Sequence, residues 1–223
     1  MSEPHGDRLA RELREFGPAG IAAAIAILLG NLLFLPLSAL LAMAWAWRSD
    51  TPWSAIGLGA PRRWTLTILL GVVIGAALKL ALKALVLPLF HVDPINHAFH
   101  GLTGNRAAVP FMVYQLVIGA GFGEEVLFRG WMFERLGKWL GGSRAAQLAI
   151  LLITSVLFGA AHLHEQGLPG AGQAVITGLA FGGLYLVTGS LALPMVAHAS
   201  FDLLAYAIIY WDLETRVSRL VFR

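Results

Sequence analysis

The sequence of 223 residues contains no cysteine, which excludes disulfide bonds, thiolate metal sites and a cysteine nucleophile. Charge is also scarce, because only 13% of the residues are charged, whereas a soluble domain has about a quarter. The basic residues stand singly rather than in a tract, and neither a His-Glu-Xaa-Xaa-His zinc signature nor a nucleotide-binding glycine pattern is present. These absences argue against a water-soluble monomer, and nucleic acid is not an expected partner.

Apolar residues dominate the composition: 57% of the chain is hydrophobic and the mean hydropathy is +0.71. Several apolar stretches are long enough to cross a hydrocarbon layer of roughly 30 Å. The sequence therefore predicts an all-α fold, a polytopic transmembrane bundle of about 6-8 helices. We expect residues 1–223 to form a single integral membrane domain that crosses the cell membrane several times, with the lipid bilayer as its surroundings.

The apolar stretches predict six spans. Pro110 opens the third of them, since proline is tolerated in the first turn of a helix, and glycines at 141 and 142 end it. An amphipathic segment at residues 3–16 is expected to lie on the membrane surface before the first span. The predicted spans cover residues 19–47, 66–90, 110–140, 145–162, 171–188 and 193–211.

Two pairs of charged residues lie close to the predicted span ends. Lys79 and Lys83 share a helical face in the second span, and we favour extension of both side chains to the headgroup layer over a functional lysine pair. Glu134 and Arg135 lie near the end of the third helix and are expected on the surface.

Other ionisable residues fall at membrane depth, where a charge is costly and indicates a functional site. Glu125 and Arg129 are four residues apart, so they share a helical face in the favourable order of acid before base. Glu124 lies about 140° from Arg129 around an α-helix, which leaves its carboxylate without that partner. One glutamate is therefore expected to be ion-paired and the other free to take up a proton, although a wholly structural cluster remains an alternative.

Two further predicted spans carry polar residues. His162 follows an apolar run, with Phe158 one turn before it on the same face. His198 and Asp202 are four residues apart on the sixth span. Buried together with the glutamates, these groups could satisfy one another, whereas each buried alone would be costly. We therefore expect a shared pocket that contains water.

At these residues the sequence resembles the CAAX prenyl protease and bacteriocin-processing family of intramembrane proteases, also called the CPBP or Abi family. The family's three motifs are Glu-Glu-Xaa-Xaa-Xaa-Arg, Phe-Xaa-Xaa-Xaa-His and His-Xaa-Xaa-Xaa-Asn/Asp. All three are present in order, as residues 124–129, 158–162 and 198–202. The motif-bearing core covers about residues 110–211, and the first two spans carry no signature.

The resemblance implies an intramembrane endopeptidase in which Glu124 and His162 activate water while His198 and Asp202 steady the oxyanion. Glu125, Arg129 and Phe158 would support the site, no cofactor is expected, and the partner would be a peptide or membrane-protein substrate. Asp202 stands where prenyl-protease members have asparagine. The difference matters because an amide can donate a hydrogen bond to an oxyanion, whereas an ionised aspartate cannot. Asp202 would then be protonated, or would orient His198 as the donor.

Three alternatives stay open on the sequence. Glu124, His162 and His198 could hold zinc, since three protein ligands plus water form a catalytic site. The chain could instead be a non-catalytic immunity or scaffold protein that keeps the polar pocket to bind a peptide or a membrane protein. A proton-coupled or small-solute transporter would also use intramembrane Glu and His, but no paired inverted halves are evident.

Overall fold

A computed structural model describes residues 5–222, and side chains from Arg8 onward. Regular structure within this range is helical, with no strand. Residues 3 and 4 of the predicted amphipathic segment lie outside the described residues. The helices are α1 (His5–Arg14), α2 (Pro18–Leu29), α3 (Leu37–Arg48), α4 (Trp64–Leu89), α5 (Arg106–Leu140), α6 (Arg144–Thr188), α7 (Ala192–Tyr210) and α8 (Glu214–Ser218).

Within the described range, four helices, α4 to α7, are long and apolar enough to cross a membrane. A bent pair made by α1 and α2, with 60° between its halves, could form a fifth span. The all-α transmembrane bundle is therefore confirmed, and the helix count is roughly consistent with the predicted one. The chain is an integral membrane protein.

The first predicted span, residues 19–47, is wrong as a single helix. The structure divides it into α2 and α3, each 12 residues and thus about 18 Å long, which is shorter than a hydrocarbon layer. Asn31 and Ser38 close the turn between them, since each side-chain oxygen accepts the other residue's backbone N–H at 2.9 Å. Trp45 donates to the carbonyl of Leu13 at 3.0 Å, so α3 runs back along α2. Hydropathy alone could not distinguish this hairpin from one long span.

The predicted fourth and fifth spans are the two halves of α6. Gly167, with φ 64° and ψ −171°, interrupts this 45-residue element in a conformation that is essentially restricted to glycine. The halves then fold back against each other: a Cβ on Gly159 would meet Val175, and a Cβ on Gly178 would lie 3.0 Å from Ser155. His162 lies just before this break.

Close packing of three helices positions the polar residues. A Cβ on Gly75 of α4 would collide with the carbonyl of Ala197 and lie 2.9 Å from the backbone nitrogen of Phe201 in α7. On α5, a Cβ on Gly121 would lie 2.8 Å from the Cβ of Ala199. Glycine at these two positions therefore lets α4 and α5 approach α7 on either side of His198.

Basic residues expected at the membrane surface are buried. Arg135 is 6% exposed and donates to the carbonyls of Arg14 and Glu15, at 2.6 and 3.2 Å. Lys79 and Lys83 are only 7% and 6% exposed, so their predicted extension to the headgroups is also wrong. The prediction fails because it considers each helix alone, surrounded only by lipid and water. In the structure, neighbouring segments supply the oxygen atoms that accept hydrogen bonds from these side chains.

Candidate active site

The glutamates lie in a part of α5 that is wound as a π-helix. Residues Gln115–Glu124 and Val126–Trp131 make hydrogen bonds five residues apart, which turns the chain by less than the 100° per residue of an α-helix. The angle of about 140° between Glu124 and Arg129 therefore does not apply, and both residues come closer to one face. Such segments are rare and are frequently found at functional sites.

Glu125 forms the centre of a buried network. Its side chain is fully buried, and Oε1 accepts a hydrogen bond from Arg129 at 2.7 Å. The same oxygen lies 2.7 Å from Nδ1 of His198, so α5 and α7 are joined through this carboxylate. The ion pair that the spacing predicts is present, and it already occupies the oxygen of Glu125 that faces the other helices.

Aromatic rings surround the guanidinium of Arg129. Its Cζ lies 4.4 Å from the ring centre of Phe158 and 5.8 Å from that of Phe181. A cation over an aromatic face is stabilised by the ring quadrupole, more so when desolvated. Nη2 also lies 3.5 Å from the carbonyl of Gly178. These contacts hold a cation that is only 1% exposed.

Glu124 occupies a different environment from its neighbour. Its side chain is 17% exposed, and Oε2 is buried without a hydrogen-bond partner among the described residues. Among the described residues, the nearest basic atom is Nε2 of His198, at 3.8 Å, which is beyond hydrogen-bond distance. Oε2 of Glu125 is also buried without a described partner, so the two glutamates differ because Oε1 of Glu125 is engaged whereas neither oxygen of Glu124 has a described hydrogen bond.

His198 lies among three carboxylates. Nδ1 faces Glu125, while Nε2 lies 3.3 Å from Oδ2 of Asp202 and 3.8 Å from Glu124. Phe181 stacks on the imidazole, with 4.8 Å between ring centres and 30° between planes. If all three carboxylates are ionised, both ring nitrogens must carry hydrogen, because ionised carboxylates only accept.

His162 is positioned by Phe158, through both its backbone carbonyl and its ring. Nδ1 lies 2.8 Å from the carbonyl of Phe158, and because a carbonyl only accepts, Nδ1 must carry the hydrogen. The ring of Phe158 lies 4.6 Å from that of His162 and 5.8 Å from that of His198. The two histidines thus share one aromatic wall, and Nε2 of His162 is not used by this hydrogen bond.

Two further observations concern the cavity of the protein and the zinc alternative. A cavity of about 590 Å³ lies elsewhere, at the ends of α4 and α7, and none of Glu124, His162, His198 and Asp202 lines it. Among residues 5–222, no group of three or more His, Asp or Glu side chains is arranged to hold a metal ion. The zinc alternative therefore has no preformed ligand set.

Sequence reasoning missed Phe181 and Gly178, which contact His198 and Arg129. Both lie in the apolar fifth predicted span, where one phenylalanine or glycine among many carries no signal. They reach the site because α6 folds back at Gly167. The sequence predicts a turn there, but it does not predict which residues of the second half pack against the site.

Comparison with known protein families agrees with the motifs. Residues 106–204 match the family model described as type II CAAX prenyl endopeptidase Rce1-like. The resemblance drawn from the three motifs is confirmed over this segment, which contains all of them. The family suggests an intramembrane CAAX-type protease activity. No curated protein and no solved structure matches the chain.

Proposed function

From the match of residues 106–204 to the Rce1-like family model, we propose that this protein is an intramembrane endopeptidase in which Glu124 activates water. The observation that carries the proposal is that Glu124, beside a histidine, has no described hydrogen bond, whereas Oε1 of the adjacent Glu125 is engaged by both Arg129 and His198. Two adjacent carboxylates in different environments are the usual arrangement for acid–base chemistry.

Glu124 is proposed as the general base. It would take a proton from a water molecule as the oxygen of that water attacks the carbonyl carbon of the scissile peptide bond. Glu125 is less suited to this role, because Arg129 and His198 both donate to its Oε1. Glu125 and Arg129 are instead proposed to hold His198 in place.

His162 is proposed to assist Glu124. The hydrogen bond to the carbonyl of Phe158 fixes the tautomer, so an unprotonated Nε2 can accept a hydrogen bond from the attacking water. After attack, the tetrahedral intermediate would collapse: the C–N bond breaks as the proton that Glu124 has taken passes to the leaving amine, which regenerates the carboxylate.

His198 is proposed to supply the donor to the oxyanion. Its Nε2 lies 3.3 Å from Asp202 and 3.8 Å from Glu124, so an oxyanion bound there would lie beside the proposed base. Asp202 is a positioning residue in this account: its carboxylate, with Oδ2 3.3 Å from Nε2, would hold the ring in place by charge attraction and leave Nε2–H for the oxyanion. This assignment uses the second of the two roles that the sequence left open for Asp202.

The proposed substrate is a peptide or membrane protein whose scissile bond reaches the membrane interior. Membranes from cells that carry the native protein, the Glu124→Gln variant or the Glu12→Gln variant can be compared by quantitative proteomics. Glu12 lies in α1, with its only described ion pair to the exposed Arg8, so Glu12→Gln controls for loss of a carboxylate.

We expect substrates to accumulate, and their cleaved fragments to disappear, only in the Glu124→Gln membranes. Identical peptide profiles in all three membranes, with cellular function retained, would contradict the enzyme proposal and favour a non-catalytic immunity or scaffold role.

A further inference from the structure

Lys79 lies one helical turn beyond the level of His198. Glycines at 71 and 75 of α4 face Val196 and Ala197 of α7 in the same order, so the two helices run in parallel. Lys79, four residues after Gly75, is therefore level with Phe201 and Asp202. Its Nζ lies 4.8 Å from the ring centre of Phe201, which confirms that level.

This buried cation has no described counter-ion. Lys79 is only 7% exposed, and its hydrogen-bond partner is Oε1 of Gln173, at 3.4 Å. No carboxylate lies within 4 Å of Nζ among the residues the structure describes, whereas Lys83 pairs with Glu214 at 3.1 Å. A buried ammonium ion is costly unless an anion compensates it, so Lys79 is suited to bind an anionic group.

Lys79 and Gln173 both line the cavity of about 590 Å³, a volume typical of ligand sites. Of the other charged groups along this cavity, Glu165 is exposed and has no ion pair among the described residues, and most of the rest contact one another. Glu214 accepts from Lys83 and from the backbone of Asn96, and the hydrogen bond from His97 holds the pKa of Asp93 below its usual value. Lys79 is the buried cation in this wall that has no carboxylate within 4 Å among the described residues.

We propose that Lys79 and Gln173 form a subsite that binds a carboxylate of the peptide substrate. Lys79 would supply the charge, and the amide NH₂ of Gln173 would donate to the second carboxylate oxygen while its Oε1 accepts from Nζ. The carboxylate could be the free C-terminus of the peptide or an acidic side chain near the scissile bond. This inference rests on the proposed protease function, and it makes Lys79 a determinant of specificity.

Three versions of one fluorescent, otherwise uncharged apolar peptide test the subsite. One ends in a carboxamide, one in a free carboxylate, and one ends in a carboxamide but carries a single Glu. Binding is measured by fluorescence anisotropy on the full chain in lipid nanodiscs, with Glu124→Gln to prevent turnover. We expect at least one carboxylate peptide to bind on the order of 10- to 100-fold more tightly than the neutral peptide. The preferred version identifies the source of the carboxylate.

Lys79→Met should abolish this preference, because methionine keeps an apolar chain of similar length without the charge. Lys79→Arg should retain part of the preference. For each variant, the neutral peptide is the control, because only the ratio of affinities between the peptides is compared. Equal binding of all three peptides, no binding of any, or an unchanged preference in Lys79→Met would overturn the inference. Loss of co-purified phospholipid in Lys79→Met without a peptide preference would assign the cavity to a lipid headgroup instead.

Failure of the protease proposal would look different. The binding measurement uses a variant without the proposed base, so it does not depend on cleavage. Hydrolysis that persists after Glu124→Gln would refute the catalytic assignment even if Lys79 binds a carboxylate. Conversely, a Glu124-dependent hydrolysis without any carboxylate preference would refute only the subsite.

Discussion

Nδ1 of His198 lies 2.7 Å from Oε1 of Glu125, a contact that joins residues 73 positions apart on α7 and α5. Since Arg129 donates to the same oxygen, one carboxylate holds both a structural cation and the proposed oxyanion donor. Arg129 and Glu125 therefore determine where His198 lies, while Glu124 keeps a free oxygen beside it.

Replacing Arg129 should destabilise the protein far more than replacing Glu124. Arg129→Ala leaves the buried Glu125 without its cation, at a cost of roughly 3–5 kcal/mol in the free energy of unfolding. Glu124→Gln keeps the size of the side chain and breaks no hydrogen bond of Oε2. Thermal unfolding in detergent measures both, and equal losses of stability would contradict the division of roles between the two glutamates.

His198→Ala should lower kcat by on the order of 100-fold with little change in substrate affinity, if His198 donates to the oxyanion. Asp202→Asn should retain much of the activity, because asparagine keeps the size of the side chain beside Nε2 and its amide can donate to the oxyanion. Steady-state kinetics with a reconstituted peptide substrate separate the two. A reduced affinity with unchanged kcat in His198→Ala would indicate that this residue binds substrate instead.

Gly121→Ala should destabilise the bundle, because its Cβ would lie 2.8 Å from that of Ala199, the neighbour of His198. Overpacking of this kind costs about 1–3 kcal/mol. Gly137→Ala in the same helix is the matched control, since a Cβ there meets nothing within 4 Å and alanine favours the helix. Thermal unfolding should place Gly121→Ala below the native protein and Gly137→Ala at or above it.

Metal removal distinguishes water activated by glutamate from water activated by zinc. Activity of the purified protein should persist after exhaustive chelation, because the account assigns the base to Glu124 and requires no metal ligand. Elemental analysis should show no stoichiometric zinc. One zinc per chain, with activity lost on chelation and restored by added zinc, would overturn the glutamate assignment.

The sequence predicts the polar centre better than the helices around it. Buried charges need partners, so the spacing of Glu125 and Arg129 was enough to predict their ion pair. The division of residues 19–47 into two helices depends on the exchange of hydrogen bonds between Asn31 and Ser38, which hydropathy does not report. Lys79 illustrates the same limit: its burial comes from Phe201 and Gln173, which are distant in sequence.

The most direct test of the account is hydrolysis by the purified, reconstituted protein with and without the carboxylate of Glu124. The account predicts that Glu124→Gln abolishes cleavage while leaving thermal stability unchanged, and that Glu12→Gln cleaves at the native rate. Cleavage by Glu124→Gln at a rate comparable to the native protein would contradict the central claim that this residue activates the water.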